Sequence, residues 1–184
     1  SATVTMTDCT VSENFSPNHG GGLFISGLGT LTMTSCAVSG NTVSGNTMHR
    51  LGGGLYIIDG GTVVTMTDCI VSKNTGGNGG GLFIQNSATA TMTNCTVSGN
   101  TAGSGGGGLR IQNLATLYMT SCTISGNNAD GGGGLSVHST ATAHLAGCTF
   151  SGNSASSGND IKQSSWGSGT LEIYSLCPGG TVYA

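Results

Sequence analysis

Gly79-Gly80-Gly81-Leu82-Phe83-Ile84, followed by Thr89-Ala90-Thr91-Met92-Thr93-Asn94-Cys95 and Thr96-Val97-Ser98-Gly99-Asn100, is written again on either side of itself. Upstream, Gly52-Gly53-Gly54-Leu55-Tyr56-Ile57 leads to Thr65-Met66-Thr67-Asp68-Cys69 and then Val71-Ser72-Lys73-Asn74. Downstream, Gly106-Gly107-Gly108-Leu109-Arg110-Ile111 leads to Met119-Thr120-Ser121-Cys122 and Ile124-Ser125-Gly126-Asn127. Cys9, Cys36, Cys69, Cys95, Cys122 and Cys148 mark the period, at intervals of 27, 33, 26, 27 and 26 residues. A short unit that cannot bury an apolar face alone, recurring at a nearly fixed period, specifies a stack of repeats.

Inside each repeat the hydrophobic pattern has period two. Thr3-Val4-Thr5-Met6-Thr7 reads as a half-buried strand with Val4 and Met6 inward and the Thr residues outward. The three-residue step from Met6 to Cys9 breaks the alternation and predicts a bend. Cys9 and Val11 then point inward from a second strand that ends at Asn14. A variable loop and a Gly triplet precede a third strand, Leu23-Phe24-Ile25, with Phe24 outward. The expected fold is therefore all-β: a parallel β-helix (solenoid) of about six turns, three short strands to the turn.

Turns begin near residues 1, 30, 62, 89, 116 and 142, with a partial last turn over 169–184, and no linker divides the single domain spanning 1–184. The first turn starts in mid-repeat, which raises the expectation that the block is part of a longer solenoid. The longest loop carries His49 and Arg50, and in the sixth turn Asn159-Asp160-Ile161 stands in place of Gly-Gly-Gly-Leu.

Equivalent positions in a stack form columns. Asn14, Asn41, Asn74, Asn100, Asn127 and Asn153 each fall five residues after a Cys, where stacked amides can bond along the stack. The Cys column reads as buried, reduced thiols rather than cross-links, because strands lie about 4.8 Å apart while bridged Cβ atoms lie about 3.8 Å apart.

Val11-Ser12-Glu13-Asn14 and Phe150-Ser151-Gly152-Asn153, paired with Gly-Gly-Gly-Leu, resemble the F-x-x-N and G-G-A-I/L repeats of polymorphic outer membrane proteins. Those repeats belong to the wider right-handed, pectate-lyase-like β-helix class. The resemblance spans residues 1–177, although Val or Ile stands more often than Phe. It implies a right-handed coil and a role as a surface adhesin passenger, a structural solenoid or a polysaccharide lyase.

Charged residues make up 6% of the chain and Lys plus Arg number four, which leaves no basic patch for nucleic acid. No apolar run reaches transmembrane length, so direct membrane insertion is not expected. The acids Asp8, Glu13, Asp59, Asp68, Asp130, Asp160 and Glu172 form no pair beside a base, and Asp8 and Asp68 share a column two turns apart. Catalytic residues, metal sites and cofactors are accordingly not expected, and the chain reads as a non-enzyme. His19, His49, His138 and His144 fall at unrelated repeat positions and read as surface polar residues.

Two outward columns are candidates for recognition. Phe24, Tyr56, Phe83 and Arg110 form a stripe, either a platform for a sugar ring or a neighbouring protein or a stack that stabilises the sheet. Thr5, Thr32, Thr65 and Thr91 form one file and Thr7, Thr34, Thr67 and Thr93 another, resembling the ice-binding faces of some β-solenoid antifreeze proteins. Thr is also simply a favoured residue of exposed strands. The expected function is a non-catalytic structural or adhesive module, extracellular or at the cell surface. Its expected partners are copies of itself, joined end to end into filaments, other surface proteins, or glycans. Ice binding by the Thr files and polysaccharide binding or cleavage are the alternatives.

Overall fold

The alternation that begins at Thr3 is followed through seven turns of chain. The computed structural model describes residues 1–44, 51–163, 169–174 and 182–183. His49, Arg50 and Cys177 lie outside the described residues. Every named strand pairs in parallel with its counterpart one turn away, in four stacked walls of seven, six, six and seven strands. One turn consists of Thr89–Thr93, Thr96–Ser98, Thr101–Gly105 and Leu109–Gln112. The register never slips in the first wall, so Met6, Met33, Met66, Met92 and Met119 fall opposite one another.

The third wall is additional to the three strands expected from the sequence. Its members, such as Thr75–Asn78, Thr101–Gly105 and Asn128–Gly131, are the segments read as variable loops. They are rich in Gly and small residues, so they carry little hydrophobic alternation to announce a strand.

Corners are made by residues with positive φ. Asp8, Ser35, Asp68, Asn94 and Ser121 form the first corner, with φ between 51° and 54°. Asp and Asn are among the few side chains that tolerate this conformation, which accounts for the Asp8–Asp68 column without a ligand. The Gly triplet makes the third corner. Gly79 has φ +62°, and a Cβ on Gly80 would lie 2.5 Å from the Gly107 carbonyl oxygen of the next turn. Only Gly permits that backbone approach.

The core is a column of Leu, Ile, Met, Val and Cys from the inward files. Cys36, Cys69, Cys95, Cys122 and Cys148 are buried free thiols, and Cys9 is a half-buried one. Each of Cys36, Cys69 and Cys95 donates its thiol to the carbonyl two residues earlier at 3.2 Å. Burial pushes the Cys69 thiol up to about 11. Val4 and Met6 occupy the inward files but are incompletely covered: Val4 is 50% exposed. Each turn buries its apolar face against neighbours on both sides, and among the described residues the first turn has a neighbour on one side.

The Asn column is a continuous polar chain through this apolar interior. Asn74 donates to Asn100 Oδ1 from its backbone N–H at 2.9 Å and from Nδ2 at 3.0 Å, and Nδ2 also reaches the Val38 carbonyl. Asn100 and Asn127 repeat the arrangement one turn on. These amides are fully buried and satisfied.

Candidate binding site

The Gly corner turns the chain so that the end of the third wall stands against the outward face of the fourth. A concave angle results, and a single outward file lines it. That file runs Phe24, Tyr56, Phe83, Arg110, Ser136 and Lys162 in strict register.

Its first half is the expected aromatic stripe. The rings stack at centroid distances of 5.2 Å for Phe24–Tyr56 and 5.5 Å for Tyr56–Phe83, with interplanar angles of 11° and 10°. His19 leans on both Phe24 and Tyr56, and the Arg110 guanidinium lies 5.9 Å from the Phe83 centroid. The expectation that these rings face water is corrected for two of them. Tyr56 is 3% and Phe83 1% exposed, whereas Phe24 is 54% exposed. Alternation gives the side of the strand correctly, but the opposing wall covers it. The rings are a packed stack, and burial raises the Tyr56 hydroxyl to about 12.

The second half of the file opens into a cleft of about 330 Å³ lined by Ser104, Arg110, Asp130, Ser136, His138 and Lys162 together with Gly105 and Gly131. Arg110 is fixed by Nη1 donating to Asn78 Oδ1 at 2.6 Å and Nε donating to Gln112 Oε1 at 3.2 Å. Gln112 in turn donates to Gln85 at 2.8 Å, and Gln85 donates to the Tyr56 hydroxyl. Lys162 Nζ donates to Ser157 Oγ at 2.8 Å. Gly105 and Gly131 pair with each other and make room for the two cations. A Cβ on Gly105 would lie 2.6 Å from Arg110 Nη1, and one on Gly131 would lie 2.9 Å from Lys162 Nζ.

Burial lowers the Arg110 guanidinium. Burial, then the charges of Arg110 and Lys162, lower the His138 imidazole. Among the described residues the one ion pair is His144–Glu172, so neither cation of the cleft is paired with Asp130.

His138, Asp130 and Lys162 were missed as a group by sequence reading. The available signal was register. Ile161 continues the Leu column, so Lys162 continues the Phe24 column, an alignment that the missing Gly triplet of the sixth turn obscures, and His138 follows Val137 as Gln112 follows Ile111.

The Thr files lie together on the first wall. Thr5, Thr32, Thr65 and Thr91 are in register, as are Thr7, Thr34, Thr67 and Thr93. The first file then passes to Tyr118, His144 and Glu172. There Tyr118 and His144 stack at 4.6 Å and His144 Nδ1 pairs with Glu172 at 2.9 Å.

The family model described as "Right handed beta helix region" matches residues 1–174. Comparison with curated proteins and with solved structures gave no match.

Proposed function

The chain belongs to the right-handed β-helix family, and on that scaffold we propose a non-catalytic structural and adhesive module, displayed outside the cell or on its surface. One observation carries the reading. The Asn chain and the apolar columns repeat through the stack in constant register. Stability then resides between turns, and the outer faces are free to diversify for contact.

The cleft supports contact rather than chemistry. Among its lining residues Asp130 is the sole carboxylate, whereas hydrolysis of a glycosidic bond ordinarily uses two. A glycan or a neighbouring surface protein is the partner this reading favours, with end-to-end self-association as its structural form.

The test is adhesion by the purified chain. Beads coated with it are expected to bind immobilised glycans or a cell layer above the level of albumin-coated beads. Negative-stain microscopy of the same material reports filaments. Beads that bind neither surface, from a protein that stays monomeric, overturn the proposal.

A further inference from the structure

Arg110 and Lys162 stand two strands apart on one file, roughly 9–10 Å along the stack by strand spacing, with Ser136 between them. A small residue between two long ones leaves a slot. Ser136 forms its floor, 4% exposed, and its hydroxyl has no hydrogen-bond partner among the described residues. Its oxygen stays accessible, so it is open to whatever enters the slot.

Other groups in the slot have the same character. Arg110 is held through Nε and Nη1, and Nη2 makes no bond among the described residues. Its planar fork is oriented before any ligand arrives, which lessens the ordering cost of binding. Lys162 keeps donors beyond the one given to Ser157. His138 lies two residues beyond Ser136 along the same strand direction, on the same side. Arg110, Ser136 and Lys162 are donors, His138 Nδ1 is shared with Ser139 Oγ at 2.9 Å, and neither cation forms an ion pair with Asp130.

We propose that this slot is an oxyanion-binding site in which Arg110, Ser136 and Lys162 together hold one carboxylate, sulfate or phosphate group, with His138 at its edge. The bond from each cation is charge-assisted, and the guanidinium suits the spacing of two oxygens. The site does not depend on adhesion: the same donors would hold a free anion or an acidic group carried on a larger molecule.

Calorimetric titration of the purified chain at low ionic strength tests it, with inorganic sulfate, inorganic phosphate and a sulfated disaccharide as probes. Saturable one-to-one binding of at least one probe is expected. Lys162→Gln and Arg110→Gln should each weaken it about tenfold, the usual loss for a hydrogen bond to a charged partner. Lys162→Gln keeps the test usable should Arg110→Gln disturb the packing on Phe83. Ser136→Ala should weaken binding less. A disaccharide binding much more tightly than sulfate would identify the anion as one presented on a larger ligand, and equal affinities would identify a free anion. No saturable binding by any probe overturns the site. So does an equal loss in Lys73→Gln, which alters a cation at a distant corner.

Discussion

Asn153 donates from Nδ2 to Asp160 Oδ1 at 2.9 Å, and Asp160 stands where the preceding turns have the third Gly of the triplet. The departure from Gly-Gly-Gly-Leu thus supplies the acceptor that the polar chain would otherwise lack at that level. From Asn14 to Asn127 each residue donates twice to the next Asn oxygen, so the chain has one direction.

Removing an interior member should cost more than removing this last acceptor. Asn100→Ala strips Asn74 of the acceptor for two buried donors and removes the amide that donates to the Val71 carbonyl. A loss of about 3 kcal/mol is expected, from the cost of unsatisfied buried groups. Asp160→Ala removes one of two acceptors of Asn153 Nδ2, since the Ile124 carbonyl remains, and should cost about 1 kcal/mol. Urea denaturation of both variants measures the difference. Equal midpoints would rule out a directional chain.

The Gly triplet gives a sharper contrast. Gly80→Ala would bring a Cβ to 2.5 Å from two backbone oxygens, those of Gly107 and Thr101. Neither can retreat without shifting a strand, so this change is expected to prevent folding or to lower the thermal midpoint by more than about 10 °C. Gly27→Ala meets nothing within 4 Å and strains only a φ of +63°, at a cost of about 1 kcal/mol. Circular dichroism melts of the two proteins provide the comparison. Comparable melts would mean that the close approach of successive turns is not what requires Gly.

The repeat itself was legible because stacking makes equivalent residues share an environment. Met66, Cys69, Val71 and Leu82 could each be placed inward from spacing alone, and all are buried. Two things were not legible, for definite reasons. Thr101–Gly105 carries no hydrophobic signal, so a wall made of such strands passes for loop. Phe83 and Tyr56 point away from the core as alternation requires, yet alternation says nothing of what lies over them. Burial by another wall is a property of the corner angle. The cleft was hidden for the same reason, since Asp130 comes from the third wall and Arg110, His138 and Lys162 from the fourth.

Thiol chemistry offers a test of the interior that leaves the sequence intact. Reaction requires access as well as a thiolate, and five of the six described thiols are enclosed in the core. Among the six described cysteines, Cys9 is expected to be alkylated first, being the only half-buried one. Cys36, Cys69, Cys95, Cys122 and Cys148 should react slowly and together, at the rate at which the stack opens. Peptide mapping by mass spectrometry after timed iodoacetamide exposure distinguishes them. Rapid labelling of Cys95 in the folded protein would contradict a closed core.

His138 supplies the pH test. Burial, then Arg110 and Lys162, hold its imidazole below the ordinary value near 6.5. Lys162, Arg110 and Asp130 are the charged groups that share the cleft with it. The folded chain therefore binds fewer protons at this site than the unfolded chain between the two pKa values. Stability from this residue is complete above about pH 6.5 and is lost as pH falls through the folded value. The wild-type melting temperature should accordingly drop further than that of His138→Gln between about pH 7 and pH 5. Comparing the two proteins cancels the titration of every other group. An anion bound beside the imidazole favours its charged form, so sulfate should narrow the gap between the two curves and bind more tightly at the lower pH. Parallel curves with and without sulfate would show that His138 neither feels the two cations nor meets the anion.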